Sequence, residues 1–134
     1  MAGSTFNCKL ITPVDRVFDA EVTYANVPMW DGMRGEMHNS GAVVGKLGPG
    51  VLRVDFVGGE SKSWFIDGGF MQNVENELTI LATGAEATDA IDAAAAKAEL
   101  AEVEARTSTD TGEMDAISAE RRRLRAKVAA ASKR

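Results

Sequence analysis

The sequence predicts a β + α protein: an N-terminal antiparallel β-sandwich of about ten strands over residues 1–84, then a C-terminal two-helix antiparallel hairpin over 85–134. Three observations predict it. Up to about Gly84 the apolar residues recur at the period of strands. Glycines punctuate these short stretches. Beyond Gly84 the composition turns abruptly to alanine, glutamate and lysine, the residues that favour helix.

The first strand is read from Phe6, Cys8 and Leu10, which alternate with Asn7 and Lys9 until Thr12-Pro13 interrupts. Val22, Tyr24 and Val27 mark a second β-rich stretch ending at Pro28. Residues 30–41 carry three glycines in twelve positions and little strand signal. They read as a long shaped loop, a connection more readily than a ligand loop, because no strand-to-helix passage follows as a phosphate cradle requires. Leu52, Val54 and Phe56 face one way and Arg53 and Asp55 the other, and Gly58-Gly59 offers the positive φ of a hairpin turn, from which residues 61–66 pair back. Residues 70–74 and 77–81 form a further hairpin across Glu75-Asn76, where asparagine tolerates the left-handed conformation.

Residues 85–106 contain neither proline nor glycine and are expected to be helical. The run Thr107-Ser108-Thr109-Asp110-Thr111-Gly112 breaks them. A second helix spans 113 to about 131, with Met114, Ile117, Leu124, Val128 and Ala131 at apolar spacing and Arg121 in the one off-pattern slot. The inner face of the first helix is expected to be Ile91, Ala94, Ala95, Ala98 and Ala105, with Leu100 and Val103 on a neighbouring face. Each alanine in place of leucine forgoes three carbons, about 2 kcal/mol of burial. Such a hairpin is intrinsically helical yet weakly held, and can leave its dock for a few kcal/mol. The competing reading is a small-residue interface that lets two helices approach closely and stay put.

The chain has 134 residues and a net charge of -5. Residues 115–134 hold seven basic and two acidic side chains, or +5, and residues 1–114 hold eight basic and eighteen acidic, or -10. A basic tail on an acidic body is either aimed at an acidic surface or is a solvated helix face. Trp30 and Trp64 could stack on a base, but the acidic excess opposes phosphate binding. With one cysteine (Cys8) and one histidine (His38), an internal disulfide and a multi-histidine or multi-cysteine metal centre are excluded. No general acid and base pair, Walker-type loop, secretory signal or membrane-spanning run is legible, so neither catalytic nor metal residues are assigned.

The order of segments resembles the epsilon subunit of the F-type, proton-translocating ATP synthase. The resemblance rests on Phe6-Asn7-Cys8-Lys9-Leu10-Ile11-Thr12-Pro13 with Val14-Asp15-Arg16-Val17-Phe18 and Glu21-Val22, and on Val27-Pro28-Met29-Trp30-Asp31-Gly32-Met33-Arg34-Gly35. It rests also on Leu47-Gly48-Pro49-Gly50-Val51-Leu52-Arg53-Val54, on Asp67-Gly68-Gly69-Phe70, and on Asn76-Glu77-Leu78-Thr79-Ile80-Leu81-Ala82. Two departures stand out. His38-Asn39-Ser40-Gly41-Ala42 replaces the family's Pro-Gly-His-Ala-Pro run. The nucleotide motif of some members keeps Ile91 and Asp92 but has Ala95 in place of arginine. That loses a charge-assisted contact worth about 1.5–3 kcal/mol, so ATP sensing is expected to be weak or absent, and no cofactor is expected.

The resemblance implies a non-catalytic central-stalk subunit turning with the gamma subunit and the ring of c subunits, and transmitting torque between proton flow and ATP synthesis. Asp31, Gly32, Arg34, Glu36 and His38 would contact the c-ring or gamma. The helical hairpin would be regulatory and mobile. Its Arg122, Arg123 and Arg125 would transiently engage an acidic segment of the beta subunits and restrain hydrolysis. No nucleic acid would be a partner, and the place would be the cytoplasmic face of a bacterial inner membrane, peripheral and held there only through the complex. The alternative is a free-standing β-sandwich adaptor whose basic helical tail binds nucleic acid or acidic lipid.

Overall fold

A 14-residue strand organises the body. In the computed structural model, which describes residues 4–132, β1 (Phe6–Ile11) is followed by β2 (Arg16–Met29), long enough to serve both layers of a sandwich. Its N-terminal half pairs antiparallel with β1 from Phe6↔Val22 to Ile11↔Arg16. Its C-terminal half pairs with β3 (Gly32–Glu36) and β5 (Gly50–Phe56). With β4 (Val43–Leu47), β6 (Ser61–Ile66), β7 (Gly69–Val74), β8 (Glu77–Ala82) and β9 (Ala85–Ala87), the hydrogen-bonded order is β1-β8-β7-β4-β2-β5-β6-β9, with β3 on the flank of β2. Nine strands form among the described residues, where about ten were expected. Met1, Ala2 and Gly3, and the tail cations Lys133 and Arg134, lie outside the described residues.

One layer is β1-β8-β7-β4 and the other β2-β5-β6-β9. Between them lie Phe6, Cys8 and Leu10 from β1, Val22, Ala25 and Val27 from β2, Leu52 and Val54 from β5, and Leu78 and Ile80 from β8, all buried. This is the period-two burial that alternating sequences dictate. Trp64 is not free to stack on a ligand, because it stacks on Phe18 at 4.9 Å and meets Phe56 edge-on. The two hairpin turns form as expected: Gly58 and Gly59 have φ of 104° and 93°, and Glu75 and Asn76 of 52° and 62°. Gly69 is obligatory for a second reason, since a Cβ there would overlap the Leu81 carbonyl oxygen.

Three expectations are corrected, and one strand appears that the sequence did not announce. Residues 30–41 are not one long loop: residues 32–36 form β3, which turns back on β2 from Met29↔Gly32 to Ala25↔Glu36. Tyr24, packed against Gly35, leaves no room for a side chain there. The strand β4 carries no legible signal, because its inner positions are Val43, Gly45 and Leu47 and its outer ones Val44 and Lys46. Helix does not begin at Ala85, since β9 and a 3-10 turn (Thr88–Ala90) come first and α1 (Ala93–Glu104) starts after the Asp92 carboxylate caps the Ala95 amide at 3.1 Å. Finally, the inner face of α1 is Ala96 and Val103 with half-buried Ala93 and Leu100, whereas Ala94, Ala95, Ala98 and Ala105 face solvent.

The second helix, α2 (Thr111–Ser132), lies antiparallel to α1 and rests on the outer surface of β5 and β6. Phe65 and Val51, paired across those strands, project outward beneath Ile91, Ala126, Ala130 and Ala131. This explains the unbroken buried run Trp64-Phe65-Ile66 in β6, which has the sandwich core on one side and the helices on the other.

Candidate functional site

The sequence points to two loci of partner contact and to one remnant nucleotide motif expected to bind weakly or not at all, and the structure places the three far apart in the chain and in different environments. The first is the tip of the β2–β3 hairpin. Trp30 is 69% exposed there, and Gly32 has φ 136°, the value that lets the turn close. Asp31, Gly32 and Arg34 are exposed and His38 is half-buried. Glu36 differs from the other four: its side chain is fully buried, Oε1 accepts a bond from Arg34 Nε at 3.3 Å, and Oε2 has no partner among the described residues. A side chain in that position offers no surface to a neighbouring subunit, while Arg34, 44% exposed, does. The chain after β3 is clasped to the β7–β8 turn, because the Asn39 amide donates to Asn76 Oδ1 at 2.7 Å and Asn76 Nδ2 returns a bond to Asn39 Oδ1 at 3.1 Å. Sequence reading missed this clasp. Its only signal is two asparagines, each tolerant of the positive φ they adopt here, 63° and 62°.

The second locus is the remnant nucleotide motif. Ile91 is buried between sheet and helix, and the Asp92 carboxylate is occupied as the cap of α1. Ala95 supplies the amide that Asp92 holds and is otherwise exposed. In this fold the aspartate has a structural task that needs no nucleotide.

The third locus is the basic face of α2. Arg123 Nε lies 2.8 Å from Asp67 Oδ1 at the end of β6, and its Nη1 meets Glu120. Arg125 pairs with Glu104 of α1 at 3.3 Å, and Lys127 with Glu86 of β9 at 3.4 Å. Arg122 is exposed and makes no ion pair among the described residues. The three arginines are thus divided: one bound to the sheet, one to the partner helix, one free. Arg121 explains its off-pattern position by donating to the carbonyls of Val103, Glu104 and Arg106 at 3.4, 3.2 and 2.8 Å. It closes the C-terminal end of α1, where the helix dipole favours a cation.

Among the described residues no group of three or more histidine, cysteine or acidic side chains is placed to hold a metal ion, and no helix is long and apolar enough to cross a membrane. Burial pushes the Cys8 thiol up to about 12, helped by the charge of Asp19, so it is not a nucleophile at neutral pH. The described surface offers ion-paired side chains on α2 and exposed apolar ones such as Trp30.

Comparison with known proteins follows the same line. The model of the ATP synthase delta/epsilon chain β-sandwich domain matches residues 5–88. The chain is 36% identical over 80 residues to the ATP synthase epsilon chain of Rhodopirellula baltica, which covers 60% of this chain and 61% of that one. It is 34% identical over 115 residues to the ATP synthase epsilon chain of Syntrophomonas wolfei, with coverage of 86% and 84%. A chain in the Euglena gracilis mitochondrial ATP synthase (OSCP, F1 and c-ring) shares the fold, with a TM-score of 0.74 at 22% identity over 93% of this chain and 74% of that one.

Proposed function

We propose a rotor role for this chain, which belongs to the ATP synthase delta/epsilon chain family. It is a non-catalytic central-stalk subunit that joins the gamma subunit to the c-ring. The β-sandwich, with β9 (Ala85–Ala87) still part of its sheet, is the clamp, and the helical hairpin of α1 and α2 is the regulatory arm. The chain works on the cytoplasmic face of the membrane, peripheral and held by its partners. The exposed hairpin tip, with Asp31, Gly32 and Arg34 and with His38 beside it, faces the c-ring or gamma. Glu36 acts only by fixing Arg34.

The observation that carries the regulatory half is the docking of α2. It rests on Phe65 and Val51 mainly through alanines, and two ion pairs, Asp67–Arg123 and Glu86–Lys127, secure it to the sheet. Small side chains bury little area and half-exposed ion pairs contribute about 0.2–1 kcal/mol each, so undocking costs an amount that a partner surface can repay. Arg122 then leads, and Arg123 and Arg125 are released from Asp67 and Glu104 to meet the acidic segment of beta.

The test is mild-detergent extraction of the whole synthase followed by ATPase assay. The chain should copurify with gamma and the c-ring, and reversing Arg122, Arg123 and Arg125 to glutamate should raise hydrolysis while leaving that association intact. Recovery of the chain only as a free monomer would refute the stalk role. Unchanged hydrolysis would remove the three arginines from it.

A further inference from the structure

Glu36 is a charge that the fold buries and leaves half satisfied. It sits at the end of β3, with Oε1 bonded to Arg34 Nε at 3.3 Å and Oε2 without a partner among the described residues. Such a group lowers stability relative to an apolar side chain of its size. Its partner lies two residues away on the same strand, so the two side chains share one side of β3 and their bond links no two elements. The register of β3 is set without it, by the backbone pairing with β2 from Met29↔Gly32 to Ala25↔Glu36. What the bond does hold is a guanidinium. Arg34 lines a cleft of about 390 Å³ between the β2–β3 tip and β4, together with Trp30, Asp31, Met33, Val43 and Val44. With Nε engaged, its Nη1 and Nη2 donors bond to no other described residue. Exposed Trp30, Met33 and Val44 border them, and apolar walls that exclude water strengthen a hydrogen bond made between them.

We infer that Glu36 is a positioning residue, carried at the expense of stability, which aims Arg34 at main-chain carbonyl oxygens of the rotor partner; the inference rests on the stalk reading above. Charge selects neutral oxygens. Arg34 is the one cation among the residues lining the cleft, with Asp31 beside it and Glu36 behind. An incoming carboxylate would set three negative charges around a single guanidinium. A carbonyl oxygen takes the same N–H donors and adds no net charge. The molecule already uses this mode in Arg121, whose guanidinium holds the carbonyls of Val103, Glu104 and Arg106. Without Glu36, a half-exposed arginine samples many rotamers, and ordering it on contact lowers affinity.

The experiment titrates the full-length chain onto synthase stripped of it, and reads the thermal midpoint of each isolated variant beside its affinity. Arg34→Met should weaken binding at least about tenfold and Glu36→Met about fivefold, as when an interface arginine is lost or loses its orientation. Glu36→Gln keeps an oxygen acceptor for Arg34 Nε and should stay within about twofold of wild type. Glu36→Met should at the same time raise the midpoint, so that stability and affinity move in opposite directions, which a purely structural residue does not do. The ratio of wild-type affinity to that of Arg34→Met should hold between low and high salt, because the acceptor is neutral. If Glu36→Met binds as tightly as wild type, or lowers the midpoint, Glu36 is an ordinary structural residue and the inference fails, with the stalk role untouched. If Glu36→Gln binds no better than Glu36→Met, the bond to Nε does not orient Arg34, and the inference fails in the same way. A loss on Arg34→Met that vanishes at high salt would make the acceptor a carboxylate and overturn the choice of neutral oxygens. If wild type does not bind the stripped synthase at all, the stalk role itself fails.

Discussion

Glu36 is the least expected side chain in the core. A carboxylate with one oxygen bonded to Arg34 and the other unpartnered among the described residues has lost water without full replacement, and the desolvation of such a group commonly outweighs the attraction of its partner. Methionine has nearly the same length and no charge. Glu36→Met should therefore raise stability by about 1–3 kcal/mol, read as an upward shift of several degrees in the thermal midpoint. Arg34, 44% exposed, recovers its hydration when its partner goes. A lower midpoint for the variant would mean that the Arg34–Glu36 bond outweighs the burial of the charge. Cys8 makes the opposite case: its thiol is neutral and packs as a small apolar group, and the burial that makes it inert also makes it welcome.

At the scale of elements, the ion pairs between sheet and α2 decide how firmly the arm is held. Asp67 and Arg123 are each 31% exposed, a partly screened pair whose coupling should be about 0.2–1 kcal/mol in a double-mutant cycle. Asp67→Asn should speed hydrogen exchange of the amides in 123–131 and leave those of β1 and β8 unchanged; equal protection in the variant would show that the alanine contacts alone fix the arm. Most elements were legible in the sequence because their inner residues alternate: β1, β5, β8 and the two glycine or asparagine turns follow directly from period two. The tip strand β3 was not, since Gly32-Met33-Arg34-Gly35 offers neither alternation nor β-branched residues, and it is a strand only because β2 extends far enough to pair it. The inner face of α1 was misplaced because seven alanines among residues 91–105 carry almost no amphipathic signal. Packing on Phe65 and against α2 chose the Ala96 and Val103 side. Of the candidate site, exposed Asp31, Arg34 and Arg122 could be read from residue type, but the tethering of Arg123 and Arg125 depends on Asp67 and Glu104, distant in sequence.

For the whole molecule, the sheet and the composition change do not end at the same residue. Alanine-rich sequence begins after Gly84, yet β9 pairs with β6 over Trp64↔Ala87, Phe65↔Glu86 and Ile66↔Ala85, and Thr88 Oγ1 reaches the Ser63 carbonyl. The first residues of the apparent arm therefore belong mechanically to the body, and an arm that swings out must pivot after them. The 3-10 turn (Thr88–Ala90) and Ile91, which has extended backbone before the Asp92 cap, are the natural hinge. A chain ended after residue 90 should keep a complete sheet and unfold cooperatively, although Phe65 and Val51, now bare, should make it prone to associate. A chain ended after residue 84 loses the β9 ladder and uncovers the edge beside Trp64 and Ile66. It should be less stable than the longer fragment by about 1–3 kcal/mol, seen as a lower denaturant midpoint. Identical midpoints would place the pivot at the composition boundary instead, and the arm would then carry Ala85–Ala87 away with it.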